Sequence, residues 1–419
     1  MWCRYDFCNT SLTIEERVDN LISLIHEDEL TLFMKARLGG GGSPGPANNI
    51  SRIGLPEYDW GVNCIHGVQT TCGRNSKGEI MCPTSFPNPN ALGASFNASM
   101  WREMGSIIGV ELRSLWLQGA TEASAWSGKP HAGLDCWSPN VNIARDPRWG
   151  RNQEVASEDP YINGVFGTMY TKGLQEGEDD RYVQAISTLK HWDAYSLEDA
   201  DNYTRHNFDA KISNYTLADS YFPAFKASVT EGGALGVMCS YNAVNGVPTC
   251  ANSFLNGVLR GEWNFSGYIT SDTGAVADIY EQHKYVATGE EATCAALRDG
   301  GTDMDSGAVY SDNLLAAIAD PQKYGCSIDD VHTALHRTLG LRFKLGLFDP
   351  IEDQPYWHVS VDAVNTTASQ ETNKLATRES MVLLQNDADK GLPFKTGSHV
   401  AVIGPHGQAQ AVSFIQYWS

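Results

Sequence analysis

A chain of 419 residues with 42% hydrophobic content has room for one large domain or two to three ordinary ones, and enough apolar side chains for a proper core. Fifty acidic against 30 basic residues leave a net charge of −20 with no Lys/Arg cluster to follow a phosphate backbone, so nucleic acid and anionic membrane surfaces are poor partners. No run of about 18 apolar residues occurs, so nothing in the sequence spans a bilayer as a helix.

The chain opens MWCRYDFCNT with neither a basic n-region nor an apolar h-region, so no signal peptide is present as written. Ten cysteines occur without a CxxC pair or a tight Cys/His cluster, which points to disulfides rather than a metal site. Asn-x-Ser/Thr sequons at Asn9, Asn49, Asn97, Asn202, Asn214, Asn264 and Asn365 fit passage through a secretory compartment, and the expected location is extracellular. The 11 Trp and 17 Tyr offer flat faces that suit sugar rings, although each taken singly reads first as core.

From Thr13 the spacing predicts a helix: Thr13 and Glu16 form a capping box, and Ile14, Val18, Leu21, Ile22 and Ile25 share one face. Residues 37–58, with LGGGGSPGPANN, read as a Gly/Pro/Asn loop, not a phosphate nest. A pattern then recurs in which a short apolar run ends in a polar cluster and an amphipathic segment follows. Asn63 lies in DWGVNCI and His66 follows it, Arg145-Asp146 follow VNIA, and Lys190-His191 follow AISTL. Ser240-Tyr241 follow ALGVMC, Asp272 follows YIT, and Asp303 and Asp305 lie in GGTDMDSG. Strands alternating with helices predict a parallel α/β architecture, and repeated polar strand ends fit a TIM-type (β/α)8-like barrel better than an open sheet. No Gly-x-Gly-x-x-Gly or GxxxxGK[ST] signature accompanies them, so no nucleotide cofactor is expected.

Asp272 stands where a β-branched run, Tyr268-Ile269-Thr270, breaks on turn residues. It reads equally as a carboxylate at the catalytic end of a barrel strand and as the cap of the next helix. Asp303 and Asp305 are expected to close the barrel and receive no chemistry. Cys239 and Cys250 bracket a hairpin with Asn245-Gly246 at its turn, which makes them a candidate disulfide. Beyond Leu347 the run FDPIEDQPYWHVSV is Pro-containing and irregular, and residues 351–368 read as a connection leaving a first domain over 1–350. Residues 369–419 read as the incomplete start of a second domain, with a helix over 369–385 running into MVLL and a buried strand in HVAVIGPHG.

CWSPNVNIARDPRWGRNQEVASEDP, LKHWDAYSLE, VMCSYNAVNGVPTCAN, RGEWNFSGYITSD and LGLRFKLGLFDP, in this order over residues 8–350, resemble the N-terminal barrel of glycoside hydrolase family 3, most closely its β-xylosidase-like branch. RESMVLLQND and VAVIGP resemble the start of that family's second, α/β-sandwich domain. The resemblance implies a retaining exo-β-glycosidase acting on an oligosaccharide or aryl glycoside, foremost a β-1,4-xylosidase of xylan breakdown, without metal or cofactor. It implies Asp272 as the nucleophile and Lys190, His191, Arg151 and Arg205 as donors to sugar hydroxyls, with Asn63 and Tyr241 also in the sugar site. Singly, each has a plainer reading: Lys190-His191 as a strand end, Arg151 as the ion-pair partner of Glu154 or Glu158, Arg205 as a charge beside a sequon, Tyr241 as packing. The family's acid/base Glu lies on a segment this sequence does not reach, so the chain as written is expected to be an incomplete enzyme.

Two departures bear on the substrate. Where xylosidase-like members read approximately Trp-Trp-Ser-Glu-Ala-Leu-His-Gly, this sequence has Trp60, Gly61, Val62, Asn63, Cys64, Ile65, His66 and Gly67. Gly61 in place of a Trp is expected to open room for a hexose hydroxymethyl, and Asn63 in place of an acid weakens its hydrogen bonds by about half. Thr273 stands where the branch often has Cys and the glucosidases Trp, so a β-glucosidase is the alternative. Asp272-Thr273-Gly274 and Asp305-Ser306-Gly307 also look like aspartic-protease motifs, but those belong to an all-β fold with the motifs far apart. A non-catalytic carbohydrate-binding barrel is the remaining alternative, against which stands the joint presence of Asp272, Lys190, His191 and Arg151.

Overall fold

The computed structural model describes residues 4–36, 48–121, 133–387 and 391–403. Four parallel strands form its centre: β1 (Asp135–Cys136), β2 (Ile186–Trp192), β3 (Gly236–Cys239) and β4 (Tyr268–Ser271), in the order β4-β3-β2-β1. Gly236 pairs with Thr188 on one side and Tyr268 on the other, and Ile186 pairs with Asp135. All residues of β2, β3 and β4 are buried, as expected of strands covered on both faces.

Among the described residues the central sheet closes on itself. Beyond β1, Val62 pairs in parallel with Cys136, and the Trp60 amide donates to the Ala36 carbonyl at 3.0 Å. Beyond β4, Thr270 pairs with Met304 and Lys35 with Asp305, while the Asp305 amide donates to the Met34 carbonyl at 3.0 Å. The ring thus runs through 34–36, 60–62, β1, β2, β3, β4 and 303–305 and returns to 34–36, a TIM-like α/β barrel in which every strand finds a neighbour. Asp305 closes it through its backbone. Asp303 closes it through its side chain, which accepts from the Ile269 amide at 2.8 Å and from Arg260 and Arg337 at 2.7 Å each.

Helices cover the outside. Thr13 and Glu16 form the expected capping box on α1 (Ile14–Ser23), whose Val18, Leu21 and Ile22 are buried against α7 (Ile328–Lys344). α2 (Ala98–Leu117) packs on α3 (Pro160–Gln175), which packs on α4 (Phe222–Thr230). The Cys239–Cys250 disulfide is formed, and Asn245 (φ 53°) and Gly246 (φ 92°) make the tight turn between them with the positive φ at both positions that such a hairpin demands. Cys64–Cys136, Cys72–Cys82 and Cys294–Cys326 are further disulfides.

Of the loop over 37–58, residues 37–47 lie outside the described residues; Asn48 is buried and clamps Tyr58 through both ends of its amide. Residues 351–368 lie down on the barrel, with Gln354, Tyr356 and Val364 buried. α8 (Thr367–Glu379) follows, anchored by Ala376 and by Asn373 donating to the Ser85 carbonyl at 2.8 Å. The expected helix running into MVLL instead stops at Glu379, and Met381 to Leu384 are exposed. The expected buried strand does not form over 399–403 either: Val402 is 74% and Ile403 91% exposed. A strand takes its burial and its ladder from neighbouring strands, and among the described residues none lies beside this one. The remainder of HVAVIGPHG falls outside the described residues.

Gly61 corrects the expectation of an open space. Its φ is +93°, and a Cβ there would lie 2.5 Å from Cζ2 of Trp137, so the indole of Trp137 occupies what the missing side chain leaves. Gly61→Ala should therefore lower stability by roughly 2 kcal/mol, through the left-handed backbone and the overlap together, which urea denaturation would measure.

Candidate active site

Asp272 lies just past the end of β4. Its amide donates to the Cys239 carbonyl at 3.0 Å, continuing the ladder, and its carbonyl accepts from Ala275 at 3.0 Å as the chain turns into α5 (Ala275–Glu281). The cap reading does not hold: Gly274, in the left-handed conformation, is the N-cap, and Oδ1 of Asp272 takes only the neighbouring Thr273 amide, at 2.7 Å. Oδ2 is buried and faces Nε2 of His191 at 3.4 Å.

Lys190 and His191, near the end of β2, are fully buried. Asn142 fixes His191 with both ends of its amide: Oδ1 accepts the His191 backbone amide at 2.8 Å and lies 3.1 Å from Nδ1, while Nδ2 donates to the His191 carbonyl at 2.9 Å. An oxygen there requires the ring proton on Nδ1, which leaves Nε2 as an acceptor. Burial, reinforced by the charges of Arg151, Lys190 and Arg205, pushes His191 well below the ordinary histidine range, so the ring is neutral. His191 and Asp272 therefore present two acceptors to one point. This revises the donor role expected of His191: any group set between the two has to donate to them.

Arg151 forms a two-pronged pair with Glu154, Nε to Oε1 at 2.8 Å and the terminal nitrogen to Oε2 at 2.9 Å, and its guanidinium lies 5.4 Å from the Tyr195 ring centre. The plain reading of Arg151 as a Glu154 partner thus holds within the cluster itself. Burial opposes the Glu154 charge, but Arg151, Lys190 and Asn140 outweigh it and hold the carboxyl below its usual range. Arg205 lies 4.7 Å over the ring of Tyr241 and 3.6 Å from Glu198. Burial works against its charge, and Tyr241, Tyr195, Asp272 and Glu198 raise its pKa nonetheless. Tyr241 is buried, edge-on to Tyr195 at 6.2 Å. These contacts and charges join Asp272, His191, Lys190, Arg151, Arg205 and Tyr241. Asn63 is buried next to the disulfide-bonded Cys64, and its amide nitrogen donates to Gln69 at 2.9 Å. Tyr195, Glu198, His206 and Asp278 escape sequence reasoning, although the first two lie within the segment LKHWDAYSLE.

Asp193, two residues beyond His191, is fully buried, and the only polar group of the described residues set to offset its burial is the Ala194 amide. Burial pushes it up to about 7 from 3.8. A carboxyl raised in the folded state contributes stability that is present below its unfolded pKa and is lost as pH rises through the folded one. Stability should thus fall by roughly 2 kcal/mol between about pH 5 and pH 7, and Asp193→Asn should flatten that slope in thermal melts across the range.

Comparisons with known proteins bear on the family and the fold. The model of the glycosyl hydrolase family 3 N-terminal domain matches residues 48–319. A probable exo-1,4-β-xylosidase of Aspergillus terreus is 38% identical over 408 residues, covering 96% of this chain and 50% of the relative. A β-xylosidase/α-L-arabinofuranosidase of Medicago sativa subsp. varia is 35% identical over 99% of this chain and 51% of its own length. Among solved structures, a family 3 exo-β-xylosidase in complex with a xylobiose aziridine probe superposes with a TM-score of 0.82 at 31% identity, over 94% of this chain and 48% of that one. A β-glucosidase from Listeria innocua in complex with glucose gives 0.70 at 25% identity, over 90% and 53%. The chain spans about half the length of the curated relatives it matches. Ring closure, a carboxylate at the end of β4 and a family match over 48–319 lead to one assignment: this chain belongs to glycosyl hydrolase family 3.

Proposed function

We propose that the barrel is the nucleophile-bearing half of a retaining exo-β-glycosidase that releases terminal β-1,4-linked xylose from xylo-oligosaccharides of plant cell-wall xylan. Asp272 attacks the anomeric carbon, the glycosidic oxygen leaves with a proton from a second carboxyl group, and water later cleaves the glycosyl-Asp ester. The observation that carries this reading is Asp272 Oδ2 facing His191 Nε2, two acceptors at the catalytic end of a barrel, ringed by Lys190, Arg151 and Arg205. Lys190, Arg151 and Arg205 hold sugar hydroxyls by charge-assisted donation, His191 accepts one, and Tyr241 and Asn63 shape the pocket. The relatives' names favour xylose, and Trp137 filling the place beside Gly61 removes the reason to expect a hexose.

A β-glucosidase is the second reading, favoured by the glucose-bound structural relative. An activated 2-deoxy-2-fluoro glycoside with a dinitrophenolate leaving group separates the two, because that group departs without an acid. Xyloside should label the peptide containing Asp272 faster than glucoside, as read by mass spectrometry; faster labelling by glucoside would reverse the assignment, and no labelling by either would remove both. The disulfides and the exposed Asn9, Asn49, Asn202, Asn214, Asn264 and Asn365 support action outside the cell. Among the described residues no helix is long and apolar enough to cross a membrane.

A further inference from the structure

Arg205 directly follows the exposed hairpin of Asp199–Ala200 and Tyr203–Thr204, yet its guanidinium is set over Tyr241 inside the cluster. A long side chain rooted in such a segment needs something to hold it. The adjacent residue does so: Nε of Arg205 donates to Nε2 of His206 at 3.2 Å. That bond requires Nε2 to be without a proton. Nδ1 of the same ring lies 2.7 Å from Oδ2 of Asp278, a buried carboxylate on α5, the helix that begins just past the nucleophile. A carboxylate at Nδ1 keeps the proton on that nitrogen and so keeps Nε2 as an acceptor. The His206 ring also leans on Tyr241 at 4.6 Å, and Nε2 of His283 donates to the Tyr241 carbonyl at 2.8 Å. Glu198 holds the other end of the guanidinium.

We infer that His206 and Asp278 are a positioning pair: Asp278 fixes the tautomer of His206, and His206 fixes Arg205 over Tyr241 and toward Asp272, tying the hairpin that brings the cation to the helix that follows the nucleophile. The inference rests on the glycosidase reading for its consequence and not for its geometry. Both residues act through Arg205. The pair sets sugar affinity, since a cation that wanders from its place loses charge-assisted hydrogen bonds to the substrate in ground and transition state alike.

The test uses the whole chain and dinitrophenyl β-xyloside. His206→Leu and Asp278→Leu are expected to raise KM about 10-fold with kcat changed by less than about threefold, the size of one lost hydrogen bond to a charged group. His206→Gln, whose amide oxygen can accept from Arg205, retains most of the affinity of the parent. In an Arg205→Leu background, His206→Leu should change KM no further, whereas a merely structural role would add its effect there too. Wild-type KM in His206→Leu, or full additivity with Arg205→Leu, overturns the pair. If the parent chain releases no phenolate in an Asp272-dependent way, the glycosidase reading fails instead. Hydrogen exchange at the Arg205 Nε–H, slow in the parent and fast in His206→Leu by NMR, then still decides the geometry.

Discussion

Asp272→Asn is expected to reduce release of dinitrophenolate from the xyloside by about 10⁴-fold or more, with KM little changed. The amide keeps the shape, and its oxygen can still accept the Thr273 amide, so folding should be untouched. It lacks the negative charge that makes the oxygen a nucleophile toward the anomeric carbon, and among the described residues the neighbouring carboxylate of Glu154 is engaged by Arg151 on both oxygens. Asp272→Gly with added azide sharpens the result. Azide entering the vacated space attacks from the nucleophile's face and should yield the α-glycosyl azide in one displacement. Recovery of the β-azide, or residual turnover of the Asn variant within about tenfold of the parent, would place the nucleophile elsewhere.

Asp303→Ala should be the most damaging single substitution in stability, costing about 3–5 kcal/mol in a denaturant titration. Asp303 is 1% exposed, and its two oxygens take Arg260, Arg337 and the Ile269 amide. Removing it leaves two guanidinium groups facing each other in a poorly solvated place and an amide of β4 without its acceptor. Asp303→Asn can still accept from Ile269 and one arginine, so its loss should be clearly smaller. Equal losses in the two variants would mean that the charge, and not the hydrogen bonds, seals this part of the ring.

What could be read from the sequence follows from the range over which each signal acts. The Thr13–Glu16 box and the Asn245-Gly246 turn are contacts between near neighbours, and both stand as expected. Asp272 is similar: a β-branched run ending on an acid and a turn marks a strand end, and only the choice between cap and nucleophile position needed the fold, which gives the cap to Gly274. The filling of the space at Gly61 was illegible because Trp137 comes from another part of the ring. The same holds for Asp278 reaching His206, two residues that no local periodicity links. Met381 to Leu384 and Val400 to Ile403 failed for the opposite reason: their apolar pattern is local, but a strand or a packed helix end also needs a surface to meet, and pattern alone does not reveal whether one is there.

The bridge between Lys35 and Asp305 has a meaning for synthesis. On a ribosome the 34–36 segment emerges early, while its partner appears only after some hundreds of further residues, on the order of 15–50 s later at ordinary elongation rates. During that interval one rim of the growing barrel has no mate, and its backbone donors and acceptors are open to any passing strand. A nascent chain of this kind depends on what shelters that rim before residue 305 arrives, so truncations ending shortly before Asp303 should aggregate while those ending past α7 should not.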